Sequence, residues 1–190
     1  MDIYKSIDKV KAPPSSVITF GTFDGLHLGH VQILNHLKAK AAINKVKSAV
    51  VTFDPHPKQI LESKFYNKVI MPIEDRLDFL KIMNIDITLV IPFDEKFSKI
   101  GGQEFMEDII IPLFNPLLVI VGYDHHFGNK KSGNIHLLNQ MKSRNKFNVK
   151  EVGQYRIDNE IINSTYIRKC LQDGLVSKVE KLLGRPFSIK

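Results

Sequence analysis

His27 and His30 stand three positions apart around a glycine, in the string Gly21-Thr22-Phe23-Asp24-Gly25-Leu26-His27-Leu28-Gly29-His30. At that spacing on a helix the two imidazoles share a face and act on one object. A tight turn between a strand and a helix start points backbone N–H groups outward, and the helix dipole adds partial positive charge there. Two imidazoles at the same point add two donors for phosphate oxygens. Gly29 lacks a Cβ, which lets a ligand approach the backbone. The chemistry indicated is therefore the holding of phosphate groups and of the charge on them. A zinc site would use the same residue type, but no cysteine is near and the spacing is not the usual i, i+4 pair.

The elements that must place these residues follow from periodicity. Val17–Phe20 is a short β-rich run between Pro13-Pro14 and Gly21, which predicts the first strand. From His30 to about Lys45, Val31, Leu34, Leu37 and Ala41 recur at three and four, so a helix with one buried face follows. Ala49–Phe53 is almost wholly apolar, as expected of a strand covered on both faces. Asp54-Pro55-His56-Pro57 stops it, because two prolines cannot continue a ladder. Further along, helices are predicted over 73–83, 103–114 (with Pro112 kinking or shortening it), 134–144, 163–173 and 175–183. Strands are predicted over 87–91, 117–121 and 146–152. The segment from Ser63 to Pro72 reads as a mobile loop, and Tyr155–Ile162 carries no clear pattern.

Strands and helices thus alternate. That predicts an α/β fold with a doubly wound parallel sheet of about five strands, whose ligands bind at the carboxyl ends of the strands. The loops 21–27, 54–57 and 122–133 all follow strands and should gather on one edge. With 190 residues, 43% of them hydrophobic and 25% charged, the chain suits one globular domain. One cysteine, Cys170, cannot form an internal disulfide and sits in a helix pattern, where packing explains it. The N-terminus lacks an apolar signal core and no apolar run is long enough to span a membrane, which predicts a soluble, cytoplasmic protein with no membrane partner. The net charge of +7 suits small polyanions. It is dispersed, with no basic stripe interleaved with aromatics, which argues against nucleic acid.

The histidine string resembles the nucleotidyltransferase superfamily, marked by His-x-Gly-His after the first strand. More fully, it is similar to the FAD synthetase (FMN adenylyltransferase) module of the bacterial bifunctional riboflavin kinase/FAD synthetase family. Cytidylyltransferases share a similar string, so other segments must discriminate. Thr52-Phe53-Asp54-Pro55-His56-Pro57 resembles that family's Thr-Phe-x-Pro-His-Pro. Val121-Gly122-Tyr123-Asp124-His125-His126-Phe127-Gly128 resembles its Val-Gly-x-Asp/Asn-x-x-Phe-Gly loop. Asn163-Ser164-Thr165-Tyr166-Ile167-Arg168 resembles its Ser-Ser-Thr-x-Ile-Arg, with Asn163 for the first serine; either residue caps a helix. Leu182-Leu183-Gly184-Arg185-Pro186-Phe187 resembles the junction to the kinase module. The resemblance covers residues 15–190 and implies a single synthetase domain without the kinase barrel.

What the resemblance implies is a Rossmann-like, HUP-type fold and the reaction ATP + FMN giving FAD + pyrophosphate. It makes His27, His30 and Arg168 the catalytic residues, with Gly21, Phe23, Gly29, Ser164 and Thr165 on ATP and its phosphates. Pro55, His56 and Phe127 become flavin-pocket candidates, and Asp124 a weak ligand for Mg2+ near the triphosphate. His125 and His126 are given no catalytic part, and Asp24 shapes the turn rather than acting as an acid. A cytidylyltransferase would carry Arg-Thr-x-Gly before its Ile-Ser-Thr, which Ile162–Arg168 lacks. A non-catalytic flavin- or nucleotide-binding protein would keep the pocket and release no pyrophosphate. Oligomeric state is not legible from these residues.

Overall fold

The computed structural model describes residues 1–62 and 69–188. The loop expected between Ser63 and Pro72 lies partly outside the described residues, at 63–68. The strands are β1 (Asp2–Tyr4), β2 (Ser16–Phe20), β3 (Lys47–Asp54), β4 (Ile87–Pro92), β5 (Pro116–Gly122) and β6 (Asn148–Val152). Among the described residues they form one parallel sheet in the order β1-β4-β3-β2-β5-β6. The fold is therefore the Rossmann-like α/β class expected, with one strand more than the five predicted. The extra strand, β1, is three residues long and sits at the edge, too short to leave a periodic signature.

The helices are α1 (Leu28–Asn44), α2 (Pro57–Leu61), α3 (Ile73–Ile82), α4 (Gly102–Glu104), α5 (Ile111–Phe114), α6 (Ile135–Asn145), α7 (Ser164–Gln172) and α8 (Val176–Leu183). The strands alternate their side chains between two cores, as a pleat must. Ile18, Phe20, Ala49, Val51, Leu89 and Val119 face the α4–α6 side. Val17, Val50, Leu118 and Ile120 face Leu34, Leu37 and Ala41 of α1 and Leu80 of α3. A third cluster joins α7 and α8 through Ile167, Cys170, Val179 and Leu182, so Cys170 is a packing residue.

The helix expected over 103–114 is continuous but changes pitch. Phe105–Ile110 is a π-helical segment between α4 and α5, and it buries Phe105, Met106, Ile109 and Ile110. Pro112 follows in the first turn of α5, where a missing N–H is tolerated. The unassigned stretch before α7 contains a two-stranded antiparallel hairpin, β7 (Arg156–Ile157) and β8 (Glu160–Ile161), turned by Asp158 and Asn159 at positive φ.

Chain direction places the site. β2 is central, with β3 on one side and β5 on the other. The connection reverses sense between those neighbours, so a crevice opens at the carboxyl ends of β2 and β5. The turn carrying both histidines leaves β2 at that point.

Candidate active site

Residues 21–27 make the turn between β2 and α1. Its backbone is unusual: Phe23 and Leu26 have φ of 48° and 40°, and Gly25 has 81°. Such left-handed residues persist where surrounding groups over-determine them. Asp24 is one such group. It is fully buried, and its carboxylate accepts N–H bonds from Ile70 at 3.0 Å and Met71 at 3.1 Å. Arg168 Nη2 donates to the same carboxylate at 2.6 Å, and Ser164 Oγ donates to the Asp24 carbonyl at 3.0 Å. Asp24 therefore shapes the turn, as expected of it.

His27 is the N-cap of α1. Its Nδ1 accepts the backbone N–H of His30 at 3.3 Å, which assigns the ring proton to Nε2. The two rings stack with centroids 3.7 Å apart and planes 18° apart. A Cβ at Gly29 would lie 3.2 Å from the His27 ring, so the glycine makes room for that ring. This adds a reason to the ligand approach expected at Gly29. Burial, and then the Arg185 and Arg168 guanidiniums, push His27 down to about 4. Burial and then neighbouring His27 hold His30 well below the usual histidine range. Both imidazoles are thus neutral near pH 7, and His30 Nδ1 is buried without a hydrogen-bond partner among the described residues.

These groups open on one cavity of about 620 Å³. Of the residues singled out by sequence, Gly21, Phe23, His27, Gly29, His30, Asp124, Phe127, Ser164 and Thr165 line it. Two helix N-termini, those of α1 and α7, meet there, and both present positive dipole ends. Asn163 caps α7 through Oδ1, accepting the Tyr166 N–H at 2.8 Å, so the asparagine does the work expected of a serine. The opposite wall is aromatic. Phe127 packs edge-on to Phe20 at 4.9 Å, and Phe53 contacts Phe93 and Phe97 at 5.8 and 6.0 Å.

Three candidates are not brought into this lining. Pro55 is exposed beside it. His56 is 4% exposed and turned away. Its Nδ1 accepts the Lys58 N–H at 3.1 Å while its own N–H donates to Gln59 Oε1 at 2.9 Å, closing the capping box of α2. Its Nε2 lies 4.0 Å from Asp24. Arg168 is the third: its Nη2 is held by the Asp24 carboxylate, while Ser164 lines the cavity and also donates to the Asp24 carbonyl. A fully buried carboxylate requires a cation, and Arg168 lies one turn into α7 where it supplies one.

Arg76 of α3 was missed. It is 1% exposed and donates from Nη1 to the Thr22 carbonyl at 2.7 Å and to Thr52 Oγ1 at 3.1 Å. Both terminal nitrogens reach the Phe53 carbonyl at 3.4 Å. It therefore ties the ends of β2 and β3 together under the turn. Phe93 and Phe97 were missed as well; their sequence signal was a pair of aromatics just after a strand end.

No three metal-ligating side chains gather anywhere among the described residues. Asp124 is a single exposed carboxylate at the cavity. That donor set suits a divalent ion held mainly by phosphate oxygens and water, as magnesium usually is.

Acid should loosen this region. His27, His56 and His125 are each pushed down to about 4, burial being the largest cause. The unfolded chain takes these protons near the usual 6.5, so between pH 6.5 and 4 it binds more protons than the folded chain. Stability is therefore expected to fall as pH drops through that window. Thermal melts at pH 7 and 4.5 check this, and equal Tm values would contradict the burial of neutral imidazoles.

A parallel sheet with a double-histidine helix start at its switch point, beside an aromatic cavity, places the chain in the Rossmann-like α/β class. The chain belongs to the FAD synthetase family, whose model matches residues 9–166. It is 36% identical over its whole length to the bifunctional riboflavin kinase/FMN adenylyltransferase of Buchnera aphidicola subsp. Schizaphis graminum, of which it covers 61%. It is 31% identical, over 90% of its length, to the Haemophilus influenzae protein so described, of which it covers 56%. The chain thus spans about three fifths of the curated relatives it matches. A Streptococcus pneumoniae crystal structure described as a macrolide-efflux protein superposes with a TM-score of 0.85 at 27% identity, covering 98% of this chain and 62% of that one. The efflux in that description is said of that protein; no helix among the described residues here is long and apolar enough to cross a membrane. Pantoate-beta-alanine ligase from Francisella tularensis shares the fold, with a TM-score of 0.55 at 11% identity, covering 96% of this chain and 86% of that one.

Proposed function

We propose that this chain is an FMN adenylyltransferase, moving AMP from ATP to FMN to give FAD and pyrophosphate. The observation that carries the reading is the stacked, neutral His27–His30 pair at the start of α1, opening on a cavity with an aromatic wall. One end suits phosphates and the other a flat ring system.

A phosphate oxygen of FMN attacks the α-phosphorus of ATP, and the bond to the β-phosphate oxygen breaks as pyrophosphate leaves in line. The nucleophile is already anionic, so no base is needed; alignment and charge stabilisation do the work. His27 donates Nε2–H to the phosphates, its Nδ1 being occupied by the His30 N–H. His30 stabilises the charge that builds on the transferred group. Ser164 and Thr165 bring the N-terminus of α7 to the departing phosphates, as Gly21, Phe23 and Gly29 bring the turn to the nucleotide. Arg168 acts through Asp24, as a positioning residue. Phe127 belongs to the flavin side. Magnesium arrives with ATP as part of the substrate, and Asp124 is the residue that would hold it from the protein.

The discriminating assay supplies ATP or CTP, each with FMN or with a small alcohol phosphate, in parallel. Formation of FAD with ATP and little product with CTP is expected. Equal use of CTP with a small alcohol phosphate would favour the cytidylyltransferase reading, and flavin binding without pyrophosphate would favour a carrier.

A further inference from the structure

The string Leu182-Leu183-Gly184-Arg185-Pro186-Phe187 resembles the junction to the kinase module and carries none of the candidate site residues. The structure folds it back onto the turn that carries the histidines. Leu182 and Leu183 are buried between α7 and α8. Gly184 ends α8 at φ 70°, and a Cβ there would lie 2.6 Å from Leu28, the first residue of α1. A side chain at that position would crowd the Leu28 side chain and would have to hold a left-handed φ.

Arg185 then reaches under the turn. Its Nη2 donates to the Gly25 carbonyl at 2.7 Å and its Nη1 to the Leu26 carbonyl at 3.0 Å. Nη1 also lies 3.3 Å from the Leu183 carbonyl, and Nη2 lies 3.5 Å from Met71 Sδ. The guanidinium stacks 4.8 Å from the centre of the Phe79 ring of α3. Its planar fork presents donors to both carbonyls in one fixed geometry, which the compact, freely rotating ammonium of lysine does not.

Those two carbonyls are the last before His27. Gly25 takes its left-handed φ freely, but Leu26 holds one at a cost, so its peptide keeps this orientation because surrounding groups grip it. A tilt of the Leu26 peptide swings the His27 ring away from His30. Arg76 holds the beginning of the same turn at Thr22, and Arg168 holds its middle at Asp24. Arg185 holds the end nearest the chemistry. Its charge also falls on His27, together with that of Arg168, and helps keep the imidazole neutral.

We propose that Arg185 is a positioning residue for adenylyl transfer, fixing the Gly25 and Leu26 peptides and through them the direction in which His27 presents Nε2–H. The proposal rests on the FMN adenylyltransferase reading. Misplacing a catalytic group by about 1 Å costs on the order of 10²-fold in rate. Arg185→Met, which keeps the length and loses both hydrogen bonds, is therefore expected to lower kcat for FAD formation by about 10- to 100-fold. KM for ATP and for FMN should barely change. Arg185→Lys should recover part of kcat, because it donates to one carbonyl.

Amide hydrogen exchange in the ligand-free variants supplies the second readout. Exchange at Leu26–His30 should quicken in Arg185→Met while the strands of the sheet stay as protected as in wild type. A wild-type kcat in Arg185→Met, unchanged exchange at Leu26–His30, or a loss of activity matched by uniform loss of protection and no lysine rescue would each overturn the proposal. Wild-type protein that forms no FAD would instead remove the adenylyltransferase reading, while the exchange data still decide whether Arg185 holds the turn.

Discussion

His30→Ala is expected to lower turnover of FAD formation by about 10²-fold or more, the usual cost of losing one preorganised donor to developing charge. The same variant should melt close to wild type. His30 contributes ring contacts, to His27 at 3.7 Å and to Phe23 at 5.2 Å, and their loss destabilises. Its Nδ1, however, is buried without a partner among the described residues, and removing such an atom returns free energy to the fold. The two effects oppose each other. A large fall in activity at nearly constant Tm is the signature of a residue kept for chemistry. Near-normal FAD formation, or a loss that simply follows unfolding, would take His30 out of the mechanism. His27→Ala is less clean, because it also removes the cap of α1.

Asp24→Asn should produce the largest loss of stability. The carboxylate is fully buried and serves four groups: the Ile70 and Met71 amides, the Arg168 guanidinium at 2.6 Å, and His56 at 4.0 Å. Asparagine keeps the shape and one acceptor oxygen. It leaves Arg168, only 12% exposed, facing a neutral amide in the interior. Breaking one side of a buried ion pair costs about 3–5 kcal/mol. In a domain of this size that lowers Tm by roughly 10 °C. Melting curves of Asp24→Asn, Arg168→Met and the double variant test the coupling. The double variant should be less destabilised than the sum of the singles, because it leaves no unpaired charge. Additive losses, or a single-variant shift of a degree or two, would show that the pair does not hold the turn.

The two predictions separate functions that sequence placed side by side. His30 and Arg168 both sit in recognisable strings, and the resemblance makes both catalytic. Only the folded chain shows that one lines the cavity and the other spends its charge on Asp24. Asp24 and Arg168 are 144 positions apart, so no local pattern pairs them. The same holds for Arg76. In sequence it follows Glu74 and Asp75 and looks like an ordinary charge on a helix surface. In the fold it is a buried donor to Thr22, 54 positions away.

The sheet was legible because its strands are buried on both faces. Runs such as Ala49–Phe53 have no reading other than a covered strand once Pro55 and Pro57 end them. β1 escaped because three residues carry no period, and β7–β8 because two-residue strands carry none either. The contiguous histidine string was legible because the helix start and both imidazoles lie within four residues. His56 was visible as a histidine between prolines, but its burial and its cap on α2 depend on the fold around it.

The central claim is that the His27–His30 site transfers an adenylyl group to FMN. Incubation with magnesium, FMN and ATP labelled at the α-phosphorus tests it most directly. Label appearing in FAD, with one pyrophosphate released per FAD and both lost in His30→Ala, is the predicted result. Label remaining in ATP, or FAD formed equally well by His30→Ala, would contradict the account.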